Sequence, residues 1–207
     1  MRKSKRKPGM WLMTGGLLLI AAALFLTGYN LWDEQRAGKT AGRVLGQMPV
    51  IGEAPELISA TGDPVIPDYL LNPDMEMPTV EIDGDAYIGT LEIPALNLTL
   101  PVMSEWSYPK LKIAPCRYAG TAYKGGFVIA GHNYRRHFGP LKSLAPGDRV
   151  TFTDADGNLF AYDVAEIQVL KPTAIGDMVS EEWDLSLFTC TLGGQTRLTV
   201  RCEACEE

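Results

Sequence analysis

Three regimes of polarity follow one another along this chain. Residues 8–32 carry no charge and are most apolar over 17–26. As a helix rising about 1.5 Å per residue they span roughly 37 Å, enough to cross a hydrocarbon core of about 30 Å. Residues 33–80 break that pattern. A short amphipathic stretch over 33–47 predicts a first helix leaving the apolar segment, and residues 49–78, rich in prolines and acids and with little periodicity, predict a stalk or linker. From Tyr87 onward the period shortens to that of strands. β-type runs over 87–93, 98–103, 126–130, 150–153, 159–170, 185–191 and 197–201 are separated by Gly, Pro, Asn and Asp. Seven or eight short strands with few helices predict a mainly β fold closed into a barrel.

Charge adds a direction. The chain holds 19 basic and 25 acidic residues, but Arg2, Lys3, Lys5, Arg6 and Lys7 crowd the start and no acid precedes Asp33. Such a basic cluster beside an apolar span stays cytoplasmic, which exports everything after Asp33. A cleaved signal peptide is the competing reading. No clear small-x-small site follows the apolar core, and Tyr29, Leu31 and Trp32 suit a membrane interface, so a retained single-pass anchor in the cell membrane is expected. The acidic remainder excludes nucleic acid as a partner, because binding the phosphate backbone needs a basic face.

Candidate chemistry concentrates near the C-terminus. Leu187-Phe188-Thr189-Cys190 is an apolar run ending on a thiol, Gly193-Gly194 marks a turn, and Arg197 opens the next run. Two strands joined there set the Cys190 thiol and the Arg197 guanidinium on a common cleft. A thiolate attacks carbonyl carbon, and a fixed cation beside it stabilises either that anion or the oxyanion of a tetrahedral intermediate. A lone Cys in an apolar strand is more often a small core residue. A base separates the two readings, and His132, delivered to the end of its own apolar run, is the candidate; its bland alternative is a hydrogen-bonded strand-end histidine. His137, in Tyr134-Arg135-Arg136-His137-Phe138, is expected to be solvated in a polar loop and not to act as the base.

Two further patterns compete with ordinary structure. Asp154-Ala155-Asp156-Gly157-Asn158 has the look of a calcium loop, but no Glu follows at the required spacing and strands flank it, so a hairpin turn is expected. Cys202-Glu203-Ala204-Cys205 is a single CxxC with three open readings: incidental or paired surface cysteines, a disulfide involving either, or half a metal site. No cofactor and no metal enters the expected chemistry.

Ala130-Gly131-His132-Asn133 at a strand end, Ser186-Leu187-Phe188-Thr189-Cys190 and Arg197-Leu198-Thr199-Val200-Arg201 are three separated motifs in a familiar order. With Phe138-Gly139-Pro140-Leu141 and Pro146-Gly147-Asp148 between them, residues 87–201 resemble the sortase family of cysteine transpeptidases, on its class B or class D side. Ser186 stands where the family's TLxTC element usually opens with Thr, Cys202 where Gly is common, and the loop from Cys190 to Arg197 is a little short. The resemblance implies an eight-stranded barrel with Cys190 as nucleophile and Arg197 as stabiliser of the oxyanion or substrate carbonyl. It implies His132 as general acid for the leaving amine and then base for the incoming one. It further implies surface proteins bearing a Leu-Pro-x-Thr-Gly-like C-terminal sorting motif as substrates, cut after Thr. The acceptor amine would come from a Gram-positive cell-wall peptide or a pilin.

Cys116 is then expected to be a buried small residue in a loop near the cleft. Asp63-Pro64 matches the start of the lid some sortases carry, but no aromatic follows directly, so a plain linker is expected and a pilin polymerase is disfavoured. The expected organisation is a basic cytoplasmic tail over 1–7, a transmembrane anchor over 8–32, a stalk with a short helix over 33–80 and a catalytic barrel over 81–207. Two other classes stay open at this level, a different extracytoplasmic cysteine peptidase or transpeptidase, and a non-catalytic β-domain that binds a wall polymer.

Overall fold

The computed structural model describes residues 8–48 and 66–205. The basic tail, the proline-rich residues 49–65 and with them Asp63-Pro64 lie outside the described residues. Two compact units divide the chain, Met1–Arg36 and Ala37–Glu207. A single helix, α1 (Pro8–Leu45), joins the apolar stretch to the amphipathic one without a break. Its first part is long and apolar enough to cross a membrane, and every side chain from Trp11 to Trp32 is exposed, as lipid-facing residues are. Within that unit Arg36 pairs with Asp33 at 2.9 Å and lies 5.6 Å from the centre of the Trp32 ring.

The second unit is a closed barrel. Its strands are β1 (Val80–Ile82), β2 (Asp85–Ile93), β3 (Leu98–Met103), β4 (Cys116–Thr121), β5 (Gly125–Ala130), β6 (Arg149–Asp154), β7 (Leu159–Leu170), β8 (Leu185–Cys190) and β9 (Arg197–Ala204). They pair in the order β1-β2-β3-β4-β5-β8-β9-β7-β6, and a further β2–β6 pairing closes the ring. Eight strands therefore form the barrel, and β1 is a short hairpin arm on β2 beyond the β6 pairing. Three one-turn helices decorate it: α2 (Asp68–Leu71), α3 (Tyr108–Leu111) and α4 (Ile175–Met178).

Alternation along the strands decides what lies inside. Phe127 and Ile129 of β5, Leu185 and Leu187 of β8, and Val200 and Cys202 of β9 share one core with Leu91, Leu100, Phe152 and Val164. The intervening residues Val128, Ala130 and Phe188 turn outward and are covered by Met178 of α4. Both faces of β5 and β8 are thus buried, which is why these two runs are continuously apolar. Each large apolar side chain so buried contributes roughly 1.5–3 kcal/mol.

The weakest seam lies between β3 and β4, which share one parallel pair, Met103 with Cys116. The end of α1 and the turn after it cover it. Val44 and Met48 pack with Ile82, Tyr87, Met103, Ala114 and Cys116 in a second core. Two strands escaped the sequence pattern. Cys116 is not a loop residue but opens β4, where shifts of register between Arg117 and Ala119 and between Ala119 and Thr121 break the alternation that would have marked the strand.

Candidate active site

The parity that fills the core also selects which side chains share the outer face near one end of the barrel. Leu185 and Leu187 point inward, so Ser186, Phe188 and Cys190 point outward; on β9, Val200 and Cys202 point inward, so Arg197 and Arg201 point outward. Antiparallel register sets Cys190 directly opposite Arg197. On the other side β8 runs parallel to β5 with Ala130 beside Phe188, and the Gly131 amide donates to the Phe188 carbonyl at 3.0 Å. His132 follows two residues after Ala130, just beyond the end of β5, as Cys190 follows two residues after Phe188 at the end of β8. Cys190 and Arg197 therefore face each other on paired strands, and His132 follows the end of the strand beside them, at the same end of the barrel.

Local structure holds each of them. The β8–β9 connection closes with the Thr191 amide on the Thr196 carbonyl at 3.0 Å and the Gly194 amide on the Thr191 carbonyl at 2.8 Å. Gly193 and Gly194 both sit at positive φ, 85° and 72°, where a side chain would strain the turn. The Arg197 Nη1 donates to the Gly194 carbonyl at 3.1 Å and to its neighbour Thr196 at 3.2 Å, so the guanidinium is held against its own loop. Cys190 is exposed, whereas Cys116 and Cys202 are fully buried and Cys205 is partly so; all four are free thiols. Burial pushes the Cys116 and Cys202 thiols up to about 12, which makes them poor nucleophiles. Cys202 is thus a core residue of the barrel and not a surface cysteine.

Arg201 behaves differently from Arg197 although both face outward. It is buried, and its guanidinium donates to Ser186 Oγ at 2.8 Å, Gln168 Oε1 at 3.2 Å, the Met178 carbonyl at 3.3 Å and the Asp177 carbonyl. It ties α4 to the barrel wall four residues away from Cys190. Beside the outer face, Phe188 meets Tyr118 edge-on at 5.2 Å, and Tyr118 meets Trp106 at 5.6 Å. Trp106 and Tyr118, with Ser104 and Arg117, line an open groove of about 500 Å³.

The histidine loop corrects one expectation. His137 is not solvated; it has no exposed surface, and neither ring nitrogen has a hydrogen-bond partner among the described residues. Arg135 and Arg136 take the solvent positions, and a turn closed by the His137 amide on the Tyr134 carbonyl at 3.0 Å swings the imidazole inward. Burial, and then the nearby His132, lowers its pKa to about 4, so it is neutral at pH 7. Tyr134, unmarked by any motif, stacks its ring on His132 with centroids 4.1 Å apart and planes 4° from parallel. Nothing in a single sequence signals that contact, because the turn that creates it is not periodic.

The turn after β6 is an ordinary hairpin. Asp154 Oδ1 accepts from the amides of Asp156 and Asn158 at 3.0 and 2.9 Å, and Oδ2 accepts from Tyr123 at 2.8 Å.

No curated protein matches the chain. Among solved structures it is similar to sortase C1 from Streptococcus agalactiae, at 26% identity over 61% of this chain and 72% of that one, with a TM-score of 0.54. It shares its fold with sortase C from Clostridium perfringens SM101, at 24% identity over 86% and 88% of the two chains and a TM-score of 0.52. It also shares the fold of a Clostridium perfringens sortase D5 transpeptidase, at 18% identity over 82% and 98%, with a TM-score of 0.55. The family model for the sortase domain matches residues 91–205, which run from within β2 to the end of β9 and so take in nearly the whole closed barrel; the chain belongs to the sortase family.

Proposed function

We propose that this protein is a membrane-anchored transpeptidase in which Cys190, His132 and Arg197 carry the reaction. The observation that supports this most is the direct pairing of Cys190 with Arg197, with His132 just beyond the end of the neighbouring strand and Cys190 the one exposed cysteine of the four. The Cys190 thiolate attacks the carbonyl carbon of the Thr in a Leu-Pro-x-Thr-Gly-like sorting motif. Arg197, turning from its loop carbonyls, stabilises the oxyanion. The C–N bond breaks as the His132 imidazolium gives its proton to the leaving amine, and a thioester remains on Cys190. An incoming amine then loses a proton to His132, attacks the thioester and expels the thiolate. The acceptor is a cell-wall peptide amine or a pilin lysine, and the substrates are surface proteins bearing the motif.

On this reading residues 1–7 stay in the cytoplasm, residues 8–32 anchor the chain in the membrane and the barrel works outside. Membership of the sortase family argues against the other cysteine enzyme classes, and the exposure of Cys190 argues against a domain that only binds wall polymer. The test is mass spectrometry of the detergent-solubilised chain mixed with a sorting-motif peptide and an amine. A thioester adduct on Cys190, resolved by the amine into a transfer product, is expected; peptide left intact with an unmodified Cys190 would refute the assignment.

A further inference from the structure

The segment after β5 is built to hold one ring on another. Gly131 lies where an added Cβ would run into the Phe138 ring, so the absence of a side chain lets Phe138 close down on the strand end. In that position the Phe138 amide donates to the His132 carbonyl at 3.1 Å. The Tyr134 carbonyl meanwhile accepts from two amides, His137 at 3.0 Å and Gly139 at 2.9 Å. The backbones of both ring-bearing residues are therefore fixed by the same short turn. Their rings lie face to face, 4.1 Å apart and 4° from parallel. Behind them the buried His137 ring stands 5.5 Å from the Tyr134 ring, backing it from the interior side.

A strand-end imidazole has two soft torsions that must be limited if it is to meet its partners in one orientation. A flat partner limits them. It leaves the ring free to slide and exchange protons at its edge but resists rotation out of plane, which is what a group that must serve first as acid and then as base requires. We propose that Tyr134 is a positioning residue for His132, acting through the face of its ring. This inference rests on the assignment of His132 as the proton carrier. It predicts that any aromatic ring at 134 suffices and that an aliphatic side chain of similar bulk does not.

The test uses the full chain in detergent micelles with ring-labelled histidine. Only two histidines are present, so His132 and His137 are resolved by comparison with a His137→Gln variant. A ring stacked on the imidazole face displaces the His132 ring protons upfield. Tyr134→Leu should abolish that displacement and lower kcat roughly tenfold to a hundredfold, with KM for the sorting peptide unchanged. Tyr134→Phe should keep both the displacement and the rate. Should Tyr134→Leu fold poorly, Tyr134→Met serves in its place, with the stack and the rate both lost. Wild-type kcat in Tyr134→Leu, or a loss in Tyr134→Phe as large as in Tyr134→Leu, overturns the proposal. If the wild-type chain transfers no peptide, the functional assignment fails on its own, and the His132 resonances still decide whether Tyr134 holds the ring.

Discussion

Arg197 and Arg201 share a strand, a face and a charge, yet their surroundings give them different work. Arg197 is partly exposed and, among the described residues, donates to carbonyls of its own loop, which a substrate oxyanion can replace. Arg201 is buried and fully committed to Ser186, Gln168 and the end of α4. Arg197→Lys should therefore lower kcat/KM on the order of a hundredfold, since an ammonium lacks the planar fork, with thermal stability unchanged. Arg201→Lys should do the reverse. It strands buried acceptors and should cost about 2 kcal/mol of stability, while the folded fraction keeps most of its kcat/KM. Equal losses of rate in two folded variants would contradict this division. His137 supplies a second residue-scale prediction. Its pKa falls from 6.5 to about 4 on folding, so between these values the unfolded chain binds a proton that the folded chain does not. Stability is then fully retained above pH 6.5 and declines as the pH drops, by roughly 3 kcal/mol at pH 4. Unfolding midpoints measured across that window should fall in the wild type and flatten in His137→Leu.

At the scale of elements, the site depends on how two strand ends are finished. β8 stops at Cys190 because the glycine pair at positive φ turns the chain at once, and β5 stops at Ala130 because Phe138 folds back over Gly131. Gly131→Ala should displace the Phe138 ring at a cost of about 1–3 kcal/mol and carry His132 with it. The expected outcome is a lower melting temperature together with slower peptide transfer. Loss of stability with full transfer rate would mean that the two are not coupled. Several strands were legible beforehand for a plain reason. β3 and β7 run over the residues predicted because both are continuous β-type runs bounded by turn residues, whereas β4 carries irregular register and β1 has three residues.

For the molecule as a whole, the last turns of α1 and the turn that follows them belong with the barrel. Val44 and Met48 cover Tyr87, Met103 and Cys116 where β3 and β4 share a single pair. A fragment of residues 37–207 should accordingly melt higher than one of residues 80–207, by several degrees, as followed by circular dichroism. Equal melting temperatures would show that the seam needs no cover. Protease added to intact cells should reach the barrel and leave residues 1–7 protected if the proposed topology holds; a barrel that resists protease until the cells are opened would reverse it.

The amino-acid sequence by itself determined the apolar span, the barrel and the residues with reactive potential, because hydropathy periods, turn residues and short motifs are local. It also set Cys190, His132 and Arg197 near strand ends, since each closes or opens an apolar run. Only the tertiary structure decided which neighbours they have. That Arg201 is a buried clamp, that Cys202 is core, that His137 turns inward and that Tyr134 lies flat on His132 all follow from strand register and one non-periodic turn. Such contacts join residues whose separation along the chain, or orientation within a turn, leaves no period for a sequence to display.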